Sequence, residues 1–241
     1  MNGLYYDLHL HSCLSPCGDE DMTPANIVGM AAVKGLDVIA LTDHNSCKNC
    51  PAAIYHGQKY GVIVIPGMEL CTAEEVHVIC LFPELEAALL FDRYVYDRLQ
   101  AIENDERIFG RQQIMDETDT VIGTVKKLLI NATDIAFDET FSLVSSYGGI
   151  AYPAHIDKAS TSLLSNLGFV PPDSTFTCAE IHDFRNLHTI QKQHPYFLGC
   201  RMISSSDAHY LEDIREPDYQ IFSDSREIPY ILQALTKKSS T

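Results

Sequence analysis

The sequence predicts an α/β fold around a mostly parallel sheet, and three observations predict it. Short apolar runs recur along the 241 residues, each followed by polar turn residues and usually by a helix-like stretch, the mark of repeated βα units. The composition, 46% hydrophobic and 21% charged with 13 Gly and 11 Pro, is enough to bury one large core. No internal repeat, low-complexity tract or Gly/Ser linker divides the chain, so residues 1–241 are expected to form a single barrel-sized domain.

In order, strands are expected at residues 4–8 (LYYDL), 38–42 (VIALT), 62–66 (VIVIP), 78–82 (VICLF), 150–154 (IAYPA), 178–181 (CAEI) and 202–204 (MIS). Residues 219–222 (YQIF) form an eighth strand or an edge piece. Between the first two strands, Thr23 reads as an N-cap with Pro24 at the first helical position, and the helix Pro24–Lys34 stops at Gly35. Residues 83–147 are richer in helix formers, with a charged stretch at 116–119 separating two helical patterns, and are expected to be a helical insertion. The tail 236–241 is expected to fray.

Charge narrows the function. With 17 Lys+Arg against 33 Asp+Glu, the net charge of −16 repels phosphate backbones and anionic lipid. Coating of nucleic acid and binding to a membrane surface are disfavoured. No apolar run approaches the roughly 18 residues of a spanning helix, and the start lacks a basic segment followed by an apolar one. A cytoplasmic protein is the expectation. The eight cysteines are expected to be reduced. Cys71, Cys80, Cys178 and Cys200 sit in or beside apolar stretches as small hydrophobes, whereas Cys13, Cys17, Cys47 and Cys50 sit in polar turn sequence.

The histidines carry the chemistry. Seven of the ten lie at or just past the C-terminal ends of expected strands, the edge where barrel enzymes build their sites. Six of these seven fall in clusters: His9-Leu10-His11, Asp43-His44, Glu69 with His77, His155, and Asp207-Ala208-His209; the seventh, His182, follows the sixth strand alone. Imidazole and carboxylate are ligands that zinc, manganese and iron(II) accept. Alternation along an extended segment puts His9 and His11 on one side, within reach of one ion. An acidic chain that gathers these groups on one edge, with few lysines or arginines nearby, needs cations there.

These stretches resemble the PHP (polymerase and histidinol phosphatase) superfamily of metal-dependent phosphoesterases. The matching residues are Asp7-Leu8-His9-Leu10-His11-Ser12, Ala40-Leu41-Thr42-Asp43-His44, Pro66-Gly67-Met68-Glu69-Leu70, Glu75-Val76-His77, Pro153-Ala154-His155 and Ser205-Ser206-Asp207-Ala208-His209, in the family's order. The resemblance implies a distorted (β/α)7 barrel carrying two or three divalent ions. It implies His9, His11, Glu69 and Asp207 at the first ion, Glu69, His77 and His155 at the second with Glu69 bridging, and His44 and His209 at the third. The third ion's remaining ligand departs from the common pattern: Cys17, at family-like spacing from His11, is favoured over Asp19. Asp43 is either a direct ligand or a carboxylate that orients an imidazole.

Such a cluster suits hydrolysis of a small phosphate ester by metal-activated hydroxide, with Glu69 holding two ions and His209 or His44 moving the proton to the leaving group. Lys158 and Arg185, near expected strand ends, are the candidate phosphate-binding cations. His56, His188 and His194 are expected to be structural or superficial, and His182 is undecided. The alternatives are an amidohydrolase-like cleavage of C–N or C–O bonds, a 3′–5′ exonuclease acting on strand ends, and a non-catalytic metal or redox module built from Cys13, Cys17, Cys47 and Cys50.

Overall fold

A computed structural model describes residues 2–237, to which all structural statements here refer. The chain runs β1 (Asn2–Leu10), α1 (Pro24–Lys34), β2 (Val38–Leu41), α2 (Cys50–Tyr60), β3 (Ile63–Cys71) and β4 (His77–Leu81). It continues through α3 (Leu85–Arg98), α4 (Glu106–Phe109), β5 (Gln113–Met115), β6 (Val121–Thr124), α5 (Phe137–Ser146), β7 (Ile150–Pro153) and α6 (Leu163–Asn166). It ends with β8 (Cys178–Glu180), α7 (Leu187–Gln193), β9 (Arg201–Ile203), β10 (Gln220–Ser223) and α8 (Ile228–Thr236). Of the tail expected to fray, Thr236 ends α8, and residues 238–241 lie outside the described residues.

Six strands form one curled sheet in the order β10-β1-β2-β3-β4-β7, while β8 and β9 pair in parallel. Two seams close the curl at the mouth. Ile156 N donates to Glu180 O at 2.9 Å, joining the end of β7 to β8. His11 N donates to Ala208 O at 3.0 Å, joining the segment after β9 to the end of β1. The result is the distorted seven-stranded barrel, with β10 an antiparallel edge piece on β1. Leu4, Tyr6, Leu8, Val38, Ile65, Ile79 and Tyr152 pack into one core with Ile231 and Leu235 of α8. A second core joins the sheet to α1, α2 and α3 through Ile39, Leu41, Val64, Ile27, Ala53 and Phe91. The first helix forms as expected, with Thr23 accepting from Asn26 N and Gly35 in the left-handed conformation that its Cα without a side chain allows.

Two expectations are corrected. Strands β3 and β4 make an antiparallel hairpin, paired from Gly67↔Leu81 to Cys71↔His77, and β4 is also antiparallel to β7. Five residues separate β3 from β4, far short of the dozen or so a parallel crossover needs. His77 therefore lies at the start of its strand, and reaches the mouth because that strand is reversed. The insertion is also only partly helical, since residues 113–124 form a β-hairpin with 116–119 as its turn. Asp116 organises that turn by accepting from Thr118 N and Thr120 N. At its tip Asp119 accepts from Thr23 Oγ1 and Ala25 N, pinning the hairpin to the start of α1. Among the described residues no helix is long and apolar enough to cross a membrane.

Candidate metal centre

Glu69, 1% exposed, stands at the centre of the mouth. Its Oε1 lies 2.7 Å from His77 Nδ1, 3.0 Å from His155 Nε2 and 3.3 Å from His9 Nε2. Its Oε2 lies 3.0 Å from His44 Nδ1 and 3.4 Å from His11 Nε2. Asp207 Oδ1 lies 3.2 Å from His9 Nε2 and 3.1 Å from His11 Nε2, and those two ring nitrogens are 3.1 Å apart. His209 stacks on His11 with ring centroids 4.3 Å apart. His155 and Asp207 have positive φ angles of 28° and 57°, conformations that non-glycine residues hold only where the surroundings enforce them.

The donor set fits divalent cations. His44 Nδ1 and Glu69 Oε2, although 3.0 Å apart, are not aligned as a hydrogen bond, and with His155 Nδ1 they are buried without a partner. Orphaned donors and acceptors in a closed site need an explanation such as an absent ion. Three sets of ligand atoms converge within 4.8 Å: His11, His44 and His209; His9, His11 and Glu69; and His44, Glu69 and His77.

Electrostatics set the protonation of the site's own groups. Burial opposes a charged His44, but Glu69 beside it and a hydrogen bond with Cys17 bring its pKa up to about 9. His9, also opposed by burial, is raised well above the usual range by Asp207, Glu180 and Glu69. Burial and then the charges of His209 and His44 push His11 well below it. Burial disfavours the Glu69 carboxylate, yet His77, His9 and His44 together hold it well below the ordinary range. A cation must displace the protons on His9 and His44, so uptake at pH 7 releases protons and affinity is expected to rise as pH climbs toward 9. Calorimetric titration in buffers of different protonation enthalpy measures that release, and a pH-independent affinity would contradict it.

Other anticipated residues sort by place. Cys17 is exposed and lines the same cavity, whereas the Asp19 carboxylate turns back to accept from Asp21 N. Asp43 accepts from Ser12 N, Ser12 Oγ and Ser15 Oγ, and Ser15 Oγ in turn contacts His11 Nδ1 and His44 N. Its position is that of an organiser of the His11 imidazole and the His44 backbone. Lys158 lines the cavity and pairs with Asp207. Arg185 is not brought there: its side chain is 90% exposed and forks onto Asp183. Cys47 and Cys50 are fully buried thiols donating to Gly67 O, and burial pushes Cys13 up to about 12, so these three are packed away from exposed Cys17. His56 is buried beside Tyr60, while His182 and His188 are exposed and His194 half-buried, all outside the cavity lining.

Two carboxylates escaped the sequence reading. Glu180 Oε1 lies 3.0 Å from His9 Nδ1 and accepts from His155 N at 3.1 Å. Asp7 accepts from Ser206 N and Arg215 N, which fixes the loop bearing Asp207 and His209. The available signal was an acidic residue inside an otherwise apolar strand.

A curled α/β barrel whose mouth gathers six imidazoles around two carboxylates defines the class of metal-dependent hydrolases. The chain belongs to the PHP domain family, whose model matches residues 7–168. An uncharacterised protein of Methanocaldococcus jannaschii is 34% identical over 76 residues, covering 28% of this chain and 44% of that protein. A 5′-3′ exoribonuclease of Haemophilus influenzae is 28% identical over 111 residues, covering 43% and 39%. The matches thus span less than half the length of these curated relatives. Among solved structures, the lesion-specific endonuclease Q of Pyrococcus furiosus superposes with a TM-score of 0.68 at 18% identity, covering 98% of this chain and 56% of that one. A protein assigned by name as a metal-dependent phosphoesterase, from Bifidobacterium adolescentis, gives 0.60 at 17% identity, covering 95% and 96%.

Proposed function

We propose that this protein hydrolyses small phosphomonoesters with two or three divalent cations, zinc, manganese or iron, at the barrel mouth. The observation that carries the reading is Glu69, whose two oxygens lie within 3.4 Å of five imidazoles, so that one carboxylate could serve two cations. His9, His11, Glu69 and Asp207 would hold the first, Glu69, His77 and His155 the second, and His44, His209 and Cys17 the third. Such cations supply Lewis acidity, polarising a phosphoryl oxygen and lowering the pKa of water.

The chain's own groups do the rest. Lys158 Nζ, a point charge beside Asp207, is placed to meet a substrate phosphate at the rim. His209, with a quarter of its side chain exposed, is the most open imidazole of the group, and with only two cations bound it would be free to pass a proton to the leaving oxygen, with His44 the alternative. A cavity of about 470 Å³ accommodates a small ester, and the charge of −16 disfavours a polyanion.

Cys17 gives the third position a sulfur donor. Cys17→Ser is expected to lower bound metal by about one ion per chain and to remove the near-ultraviolet thiolate-to-metal band of the cobalt-loaded protein. An unchanged band would assign that position to other ligands.

A second reading, a phosphodiesterase acting on nucleic acid, is favoured by the likeness to endonuclease Q along 98% of this chain. One experiment separates the two: elemental analysis of protein purified without chelator, with turnover of p-nitrophenyl phosphate, bis-p-nitrophenyl phosphate and a duplex carrying an abasic lesion. Two to three metals per chain with faster monoester turnover supports the proposal. Preference for the diester or the duplex selects the second reading, and one metal or none without turnover of any substrate removes both.

A further inference from the structure

The segment between α3 and α5 has no task in the hydrolysis described above. Part of it nevertheless stands at the cavity, where Ile130, Asn131 and Ala132 share the lining with His44 and Glu69. What holds them there is Asn45, the residue after His44. It is fully buried, with a left-handed φ of 48°. Its Nδ2 donates to Leu129 O at 2.7 Å and Asn131 O at 2.9 Å, and its Oδ1 accepts from Cys71 N at 2.9 Å. Its own N–H donates to Glu69 O at 2.9 Å. One side chain thus ties the insertion to the ends of β2 and β3 that carry two of the central groups. Gln112 supports the same loop from within, accepting from Leu129 N, and Thr133 Oγ1 donates to Cys71 O.

The chemistry of the lining is specific. The insertion contributes Gln100, Ile130, Asn131 and Ala132 to the lining, and the segment after β7 contributes Lys158, Ser160 and Thr161. No tyrosine or phenylalanine among the described residues lines this cavity, so a nucleobase finds no ring to stack on apart from the imidazoles of the metal centre. Carboxamides and hydroxyls match alcohol hydroxyl groups instead.

We propose that residues 129–132 are the specificity wall of the site, latched by Asn45, and that the wall selects phosphomonoesters of hydroxyl-rich aliphatic alcohols, sugar or polyol phosphates, over nucleotides. The inference rests on the phosphoesterase reading. Asn45 is a positioning residue, acting through the wall, while Asn131 is itself part of the wall, its Nδ2 buried without a partner. Asn45→Asp keeps the acceptor for Cys71 N but sets a carboxylate oxygen against the carbonyls of Leu129 and Asn131, so it opens the latch on the insertion side.

The test compares wild type, Asn45→Asp and Asn131→Ala as manganese-loaded protein. It measures kcat and KM for glucose 6-phosphate, AMP and p-nitrophenyl phosphate, metal content, and amide exchange over residues 127–133. Wild type is expected to favour glucose 6-phosphate over AMP by about tenfold or more in kcat/KM, as hydrogen-bonding sites discriminate. Both variants are expected to lower that ratio about tenfold through KM, and Asn45→Asp alone to speed exchange across the loop. Preference for AMP, or a ratio that neither variant moves, would overturn the inference. Wild-type protein that turns over none of the three esters fails the phosphoesterase reading itself. If Asn45→Asp does not fold or loses metal, Asn131→Ala, which leaves the latch intact, decides the matter.

Discussion

Glu69→Ala is expected to strip most of the bound metal and to lower p-nitrophenyl phosphate turnover at least about a thousandfold, roughly 4 kcal/mol at 1.36 kcal/mol per decade. Five imidazoles approach this carboxylate within 3.4 Å, and without it Asp207 is, among the described residues, the one carboxylate left facing both His9 Nε2 and His11 Nε2. Glu69→Gln keeps the shape while removing the charge, and separates loss of metal from loss of fold. The check is elemental analysis beside turnover and a far-ultraviolet dichroism spectrum. Two or more metals retained per chain, with activity within tenfold of wild type, would sink the bridging role.

Glu180→Ala is expected to weaken metal binding about 10- to 100-fold while leaving every direct ligand in place. The carboxylate sits against His9 Nδ1 and so turns Nε2 toward Glu69 and Asp207. The same oxygen accepts from the backbone of His155, whose φ of 28° needs holding. One residue therefore positions two of the proposed ligands. Competition against a chromophoric chelator measures the effect, and an affinity within twofold of wild type would mean that packing alone orients His9.

Much of this site was legible because its imidazoles and carboxylates sit at sequence positions that pattern defines. Alternating apolar and turn segments locate the seven barrel strands, and the ends of those strands carry His9, His11, His44, His155, Asp207 and His209. Direction is another matter. Val78 to Phe82 has the same apolar pattern whether the strand runs parallel or antiparallel, and the reversal of β4 is encoded only in the short loop before it. The β5–β6 hairpin escaped because each strand is only three or four residues long and set among charged residues that suit a helix equally well. Glu180 contacts His9 across 171 positions of sequence, a pairing no local pattern reports. Arg185 is captured by Asp183 two residues earlier, and neither strand-end position nor charge reveals that local competition.

The seam between Leu10 and Ala208 has a consequence for the order in which the protein is made. His9 and His11 leave the ribosome nearly two hundred residues before Asp207 and His209, and Asp7 waits for Ser206 and Arg215. A growing chain therefore displays half a chelating centre for most of its synthesis. With translation at about 5–20 residues per second, that interval lasts roughly ten to forty seconds. Loading of the proposed cations would thus be a late event in biogenesis, timed by emergence of the segment that shuts the ring.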